Sequence, residues 1–336
     1  MEKLYAPKSV AVVGTGTAER ARVEQNLREG GFRGRLMLVG GDRAGWADTY
    51  SSVAELPEAP DMAVLTSRPE DAGASLRELG RRGTRAGVAL SYIPDLAALS
   101  AEAGVRMLGP TSFGIAVPRL GLNASMSHMP LPVGRVALLT QSASLARAVV
   151  DWAGPNGVGF SHVIGVGGNS NLGFALALDW LSRDPDTGLI LLDIRRVRSR
   201  RAFISAARAA SRLRPVVAIR PGGRLLDPSG QAEAVCEAAL HRAGVFVVHH
   251  MEEFLAAAET LSRCKKARGD ALAVVTNAIG PGRLAADAAL EVGIRLAILP
   301  PEAQSALAAS LPAELMYGLV YAAAARRRRS RNSPPC

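Results

Sequence analysis

The segment Val10–Thr17, VAVVGTGT, constrains this chain more than any other. An unbroken apolar run passes straight into a Gly-x-Gly turn, and Glu24, Gln25, Asn26 and Leu27 follow in a helix-compatible stretch. A buried strand, a glycine turn and a helix in that order leave free backbone N–H groups where phosphate is attracted. Gly14, Thr15, Gly16 and Thr17 are therefore the first candidate binding residues. The third glycine of a dinucleotide fingerprint is missing, with Glu19 in its place. The next apolar run, Arg35–Val39, ends in Gly40 and Gly41 instead of the acid that would hold an NAD ribose. The turn points to a nucleotide phosphate and away from NAD.

The rest of the chain alternates in the same way. Short apolar runs at Leu36–Val39, Met62–Leu65, Ala86–Leu90, Arg106–Leu108, Arg135–Leu139, Val163–Gly165, Gly188–Asp193, Pro215–Ile219 and Val245–Val248 read as strands. Two more, Ala271–Thr276 and Arg295–Ile298, follow. Ala-rich stretches such as Ala72–Arg82, Leu145–Trp152, Gly173–Ser182, Arg200–Leu213 and Glu233–Arg242 read as helices between them. Apolar runs without alternation are strands covered on both faces, so parallel sheets and doubly wound α/β layers are expected. A proline-rich connector at Met129–Gly134 and a charged one at Cys264–Gly269 divide the chain. The expected units are 1–129, 130–264, a partial α/β piece at 268–312 and a basic tail at 313–336. The second unit opens with a strand ending in Thr140, Gln141 and Ser142 before an apolar helix. Ser142 there reads either as a helix cap or as a ligand contact.

Charge and cysteines exclude several classes. The net charge is +10, and the five arginines of Arg326–Arg329 and Arg331 against Glu314 supply four of those charges. No helix interleaves aromatic with basic residues, which argues against nucleic acid. Cys236, Cys264 and Cys336 form no CxxC pair and the His do not cluster with them, so no metal site is expected. Reduced thiols and an N-terminus that enters a strand directly fit a cytoplasmic protein. The apolar run Leu315–Ala325 is too short to span a bilayer, which needs about 20 residues.

Several segments together resemble the NDP-forming acyl-CoA synthetase family, the succinyl-CoA synthetase superfamily that includes ADP-forming acetate–CoA ligases. They are PKSVAVVG at Pro7–Gly14, Asn26 and Leu27 with GGFRG at Gly30–Gly34, and LGPTSFG at Leu108–Gly114. GLNA at Gly121–Ala124, the Gln141–Ser142 turn, DPDT at Asp184–Thr187 and TNAIGPG at Thr276–Gly282 follow in order. The same arrangement occurs in protein acetyltransferases that fuse such a region to a GNAT domain. The resemblance runs over residues 1–312 and implies a Rossmann-like CoA-binding domain, a flavodoxin-like succinyl-CoA-synthetase-type domain and part of a second flavodoxin-like one. It implies coenzyme A or acyl-CoA as ligand, a cationic body favouring such an anion. The implied binding set is Gly14, Thr15, Gly16, Thr17, Arg43, Gly109, Pro110, Thr111, Gly114, Gln141 and Ser142, with Arg20 and Arg22 offering charge in place of lost glycines.

The family passes phosphate through a histidine that a glutamate orients, and exchanges it with ADP on an ATP-grasp domain. Counting along the resemblance, Leu225 stands at the histidine position and Arg195 at the glutamate position. Leucine cannot carry phosphate, and a guanidinium cannot accept the ring N–H. His249 and His250, after the strand Val245–Val248, are candidate substitutes that could equally cap the next helix or face solvent, and Asp193 is an acid two residues before Arg195. An ATP-grasp partner would be a separate subunit, and self-association is the other expected contact. The expected function is a CoA or acyl-CoA binding protein without phosphohistidine catalysis. The alternative is an active α-type component of an ADP-forming acyl-CoA ligase.

Overall fold

Val10–Val13 carry no polar side chain and are buried throughout, so β1 (Ser9–Val13) needs a neighbour on each side and a layer on each face. The computed structural model describes residues 2–41, 45–168, 172–263, 269–276 and 278–310. After α1 (Glu2–Tyr5) and β1, the order is α2 (Ala18–Gly30), β2 (Arg35–Val39), β3 (Asp48–Tyr50), β4 (Met62–Leu65), α3 (Pro69–Arg82), β5 (Ala86–Ala89), α4 (Leu96–Ala103) and β6 (Arg106–Leu108). These strands form one parallel sheet in the order β3-β2-β1-β4-β5-β6. The order reverses beside β1, and the turn Gly14–Thr17 leaves β1 at that switch point.

The second sheet begins with an antiparallel hairpin, β7 (Gly114–Val117) and β8 (Leu122–Ser125). It continues through β9 (Val133–Thr140), α5 (Ala143–Ala153), β10 (Phe160–Gly165), α6 (Phe174–Arg183), β11 (Leu189–Asp193) and α7 (Arg200–Leu213). Then come β12 (Val216–Ile219), the short α8 (Gly223–Leu226), α9 (Gln231–Arg242), β13 (Phe246–Val248) and α10 (Met251–Arg263). The strand order is β13-β12-β11-β9-β10-β7-β8. The hairpin departs from the all-parallel expectation. Its two strands pair from Gly114 with Ser125 to Val117 with Leu122, and β7 joins the sheet through Ile115 and Ala116 beside Ile164 and Val163 of β10. The chain therefore crosses between sheets at Gly109–Phe113, ahead of the connector at Met129–Gly134.

Residues Met1–Arg263 form one compact unit and those from Cys264 another. The second unit holds α11 (Ile279–Glu291), α12 (Pro301–Ser310) and a two-stranded parallel sheet of β14 (Ala271–Leu272) and β15 (Arg295–Leu296). Leu284 and Ile298 there are 72% and 65% exposed, while Val274 is half-buried. The tail 313–336, Cys264 and Cys336 lie outside the described residues. Among the described residues no helix is long and apolar enough to cross a membrane, and no group of His, Cys, Asp or Glu could hold a metal ion.

His162, expected beside β10 as a structural or surface residue, is a buried member of that strand. It lines a cavity of about 380 Å³ at the N-terminal end of the second sheet, with Tyr5, Trp180, Asp184 and Asp186. Its Nδ1 lies 3.6 Å from Asp184 Oδ2, and its ring meets Tyr5 edge-on. Burial lowers its pKa below the ordinary 6.5, against the opposing pull of Asp184 and Asp186. The folded ring stays neutral where the unfolded ring would take a proton. Stability from this site is therefore full above pH about 6.5 and is lost as the pH falls below it. Denaturant unfolding of His162→Asn should show a flatter loss of stability between neutral and mildly acidic pH than the parent chain. An unchanged pH slope would assign that loss to other groups.

Candidate functional site

The C-terminal edges of the two sheets meet at residues 109–113. Ser112 N donates to Ala89 O at 3.0 Å and Thr111 N to Ser91 O at 3.2 Å, which fastens the segment to the first sheet. Ser112 Oγ donates to Gly165 O at 2.5 Å, Gly109 N to Val166 O at 3.3 Å and Gly168 N to Pro110 O at 2.8 Å, which fastens it to the second. Gly167 has a positive φ of 58°, and a Cβ there would lie 2.4 Å from Pro110 O. Loops that leave both sheets are thus brought to one edge, where ligands of open parallel sheets bind.

On the first sheet, Gly14 adopts φ +140°, and a Cβ would fall 2.6 Å from Ser67 N. Only glycine lets the chain turn there. Thr17 caps α2, its hydroxyl accepting from Arg20 N at 3.1 Å. Among the described residues the N–H groups of Thr15, Gly16 and Thr17 make no hydrogen bond. Thr15 and Gly16 are exposed. These are the properties of an anion cradle at a helix N-terminus. Behind it, Ser91 Oγ donates to Ser67 O at 2.8 Å and Ser67 Oγ to Val13 O at 3.1 Å. This hydroxyl ladder across the strand ends was not singled out from the sequence, because serines at strand ends are common and carry no spacing.

Arg20 departs from the expected role of a phosphate-facing charge on the loop. It is 6% exposed and turns inward. Its Nη1 donates to the carbonyl of Val39, 2.7 Å away, and to that of Gly14, while Nε donates to Glu24 Oε1 at 2.6 Å. Arg22 is bonded to Gln25 on the surface, at 3.2 Å. Arg43 lies outside the described residues.

On the second sheet the polar side chains bond mostly to backbone groups, and one buried oxygen, Asp193 Oδ1, has no hydrogen-bond partner among the described residues. Ser142 is buried and caps α5, its Oγ accepting from Leu145 N at 3.2 Å. Gln141 Nε2 donates to Gly167 O at 3.0 Å, and its Oε1 accepts from Arg195 N at 2.8 Å and Arg196 N at 2.9 Å. Gln141 thus stitches the loop after β10 to the loop after β11. Asp193 is fully buried, and its Oδ2 accepts from Thr140 Oγ1 at 2.8 Å and Gln141 N at 3.2 Å. Burial raises its pKa, opposed by these hydrogen bonds and by Arg195. No ion pair joins Asp193 to Arg195, which is exposed. Of the other expected residues, Thr111 is exposed with φ +52° and Pro110 is half-buried. Gly114 is buried at φ +101°, where a Cβ would strike Ala124 O at 2.4 Å, so hairpin packing alone accounts for this glycine.

The loop after β12 holds Leu225. It is 82% exposed on α8, a single helical turn where a loop was expected. The loop is anchored by Arg220, whose Nε and Nη2 donate to Glu233 at 2.7 and 2.9 Å. Asp227 Oδ2 accepts from Ala232 N at 2.8 Å and so caps α9. That contact was not read from the sequence, because Asp227 lies outside the Ala-rich run, whose helix starts after Gly230. Nor was the Arg220–Glu233 pair, because its partners are far apart in a loop of unknown path. His249 stands just past the end of β13, the strand beside β12, with Nδ1 3.5 Å from Glu237 Oε1. The backbone N–H groups of His249 and His250 donate to Glu253 Oε2, at 3.0 and 3.4 Å, in place of the side-chain capping considered for them.

Two glycines of one turn should respond differently to a methyl group. Gly14→Ala should cost about 1–3 kcal/mol through φ strain and contact with Ser67. Gly16→Ala meets nothing within 4 Å and should cost about 1 kcal/mol from its positive φ alone. Denaturation midpoints of the two variants check this order.

Residues 8–118 match the CoA binding domain family, and residues 133–261 the succinyl-CoA ligase like flavodoxin domain. Acetate–CoA ligase [ADP-forming] I of Archaeoglobus fulgidus is 31% identical over 94% of this chain, which covers 49% of that protein. Acetate–CoA ligase [ADP-forming] I subunit alpha of Pyrococcus furiosus is 28% identical over 88% of this chain and 71% of its own. The chain thus spans about half of the first relative and some seven tenths of the second. The apo structure of the dinucleotide forming acetyl-coenzyme A synthetase 1 of Ca. Korarchaeum cryptofilum superposes with a TM-score of 0.86 at 25% identity, over 93% of this chain and 73% of that one. The chain thus carries a CoA binding domain followed by a succinyl-CoA ligase like flavodoxin domain, and over most of its length it is similar to ADP-forming acetate–CoA ligases.

Proposed function

We propose that this chain binds CoA or acyl-CoA at the C-terminal edge of its first sheet and does not relay phosphate through histidine. The observation that carries the reading is a contrast within one edge. On the first sheet, Thr15, Gly16 and Thr17 keep unpartnered N–H groups beside a helix N-terminus. On the second, Gln141, Ser142 and Asp193 have side chains bonded to neighbouring protein groups. Leu225, at the position the family resemblance gives to the nucleophile, is exposed and apolar. Arg195, at the position of its orienting acid, presents a cation. A protein without its covalent nucleophile loses most of the rate enhancement that nucleophile supplied.

A second reading has a specific observation in its favour. His249 lies beside the β12 loop at the same end of the sheet, with Glu237 close enough to orient it. Together with relatives described as ligase α subunits, it supports an active α-type component that works with a separate ATP-grasp subunit.

Two measurements separate the readings. Calorimetric titration should give CoA and acetyl-CoA dissociation constants near micromolar, about −8 kcal/mol. Incubation with labelled ATP and an ATP-grasp partner should leave no acid-labile phosphate on this chain. Phosphate that appears and is abolished by His249→Asn would establish the second reading. Absence of CoA binding would sink the first.

A further inference from the structure

The short helix α1 carries Tyr5 into the core, where it is 1% exposed. Its ring stacks on Trp180 of α6, with centroids 5.3 Å apart, and meets His162 of β10 edge-on at 6.0 Å. Stacking satisfies the apolar faces of these rings, but each also has a polar edge that needs a hydrogen bond once buried. Seven buried side-chain polar atoms lack a hydrogen-bond partner among the described residues, and three of them are Tyr5 Oη, Trp180 Nε1 and His162 Nδ1. His162 Nδ1 lies 3.6 Å from Asp184 Oδ2, beyond hydrogen-bond reach. All three side chains line the cavity of about 380 Å³ at the N-terminal end of the second sheet. Buried polar groups that the protein leaves unmet are completed by ordered water or by a bound molecule.

The lining defines the chemistry of such a molecule. Trp180 Nε1 can only donate, and burial raises the pKa of the Tyr5 hydroxyl, which stays protonated. A ligand that completes them brings a hydrogen-bond acceptor. The charges of the lining cancel, Arg119 and Arg135 against Asp184 and Asp186, and Arg119 is bonded to Asp186. A net anion or cation therefore meets no opposite charge in excess. Val117 and Leu120 extend the apolar wall beside the stacked rings. The volume is well above the roughly 30 Å³ share of one water and has room for a single-ring molecule. We propose that this cavity binds a small uncharged aromatic molecule that carries a carbonyl or similar acceptor. β9 starts at the cavity with Val133 and ends in Thr140 beside Gln141, so the cavity lies at the opposite end of the sheet from the edge described above. The proposal is thus independent of what the first sheet binds.

The probe is benzamide, an uncharged ring with one carbonyl, titrated into the intact chain beside toluene, benzoate and benzylamine. The chain has three tryptophans, and the indole N–H resonance of Trp180 is the one that Trp180→Phe removes. Benzamide should bind with a dissociation constant of about 1 mM or below and move that resonance. It should bind about tenfold more tightly than toluene, benzoate or benzylamine, the margin of one buried hydrogen bond. Trp180→Phe keeps an aromatic ring and removes the donor, so benzamide should weaken about tenfold while toluene is unchanged. No benzamide binding, equal binding of toluene, preference for either ion, or binding that leaves the Trp180 resonance unmoved would each overturn the proposal. Should Trp180→Phe fail to fold, a crystal structure of the parent chain with benzamide decides. The carbonyl oxygen should lie within hydrogen-bond reach of Trp180 Nε1 or Tyr5 Oη, and a carbonyl elsewhere or ordered water alone in the cavity would overturn the assignment.

Discussion

Everything functional in this chain depends on how residues 109–113 hold two parallel sheets edge to edge. A parallel sheet delivers all its loops of one kind to one end, so each sheet makes its own half of a site. The halves become one edge only because Ser112 bonds Gly165 and Ala89 together, with Gly168 closing on Pro110. These are backbone-directed bonds in a buried segment, and each group left unpaired there would cost about 1–3 kcal/mol. The glycines of this region follow from that closeness. Gly165 and Gly167 leave no room for a side chain against Phe113 and Pro110.

The parallel core was legible in the sequence because its strands are apolar on both faces. Met62–Leu65 and Arg106–Leu108 are found at the expected residues, and Arg200–Leu213 forms the expected helix. What escaped are elements defined by partners rather than by composition. The strand Asp48–Tyr50 is polar and lies at a sheet edge. The hairpin Gly114–Ser125 is set by the pairing of its own two strands and by the docking of β7 on β10. Boundaries moved where a cap decided them: Pro69 opens α3 three residues ahead of the apolar pattern.

The site was legible to a different depth on each side. The glycine turn after β1 is visible because a strand, a turn and a helix each leave a sequence mark. Arg20 was named from the sequence as a charge for the ligand, but a pattern that places it in the first turn of a helix says nothing of which way it faces. Its direction is set by two carbonyls at the ends of β1 and β2 that sequence cannot bring together. Gln141 was legible as a turn residue, but its three hydrogen bonds reach loops 26 to 55 residues away.

The distribution of hydrogen-bonded groups differs between the two halves of the edge. A polar network that must open to admit a phosphorylated side chain has to exchange its own bonds for those of the ligand. Gln141 would have to release Gly167, Arg195 and Arg196, and the fully buried Asp193 would present a carboxylate to the incoming phosphate. With low local dielectric that juxtaposition is strongly unfavourable unless Asp193 is protonated, and burial moves its pKa in that direction. The first sheet has no such cost to meet, because its turn N–H groups are bonded to nothing that must be displaced. A ligand at that half exchanges only water for its hydrogen bonds, while phosphate at the other half must also compete with bonds the protein already makes. The same backbone thus brings together one half whose turn N–H groups face solvent and another whose side chains are largely bonded to the protein.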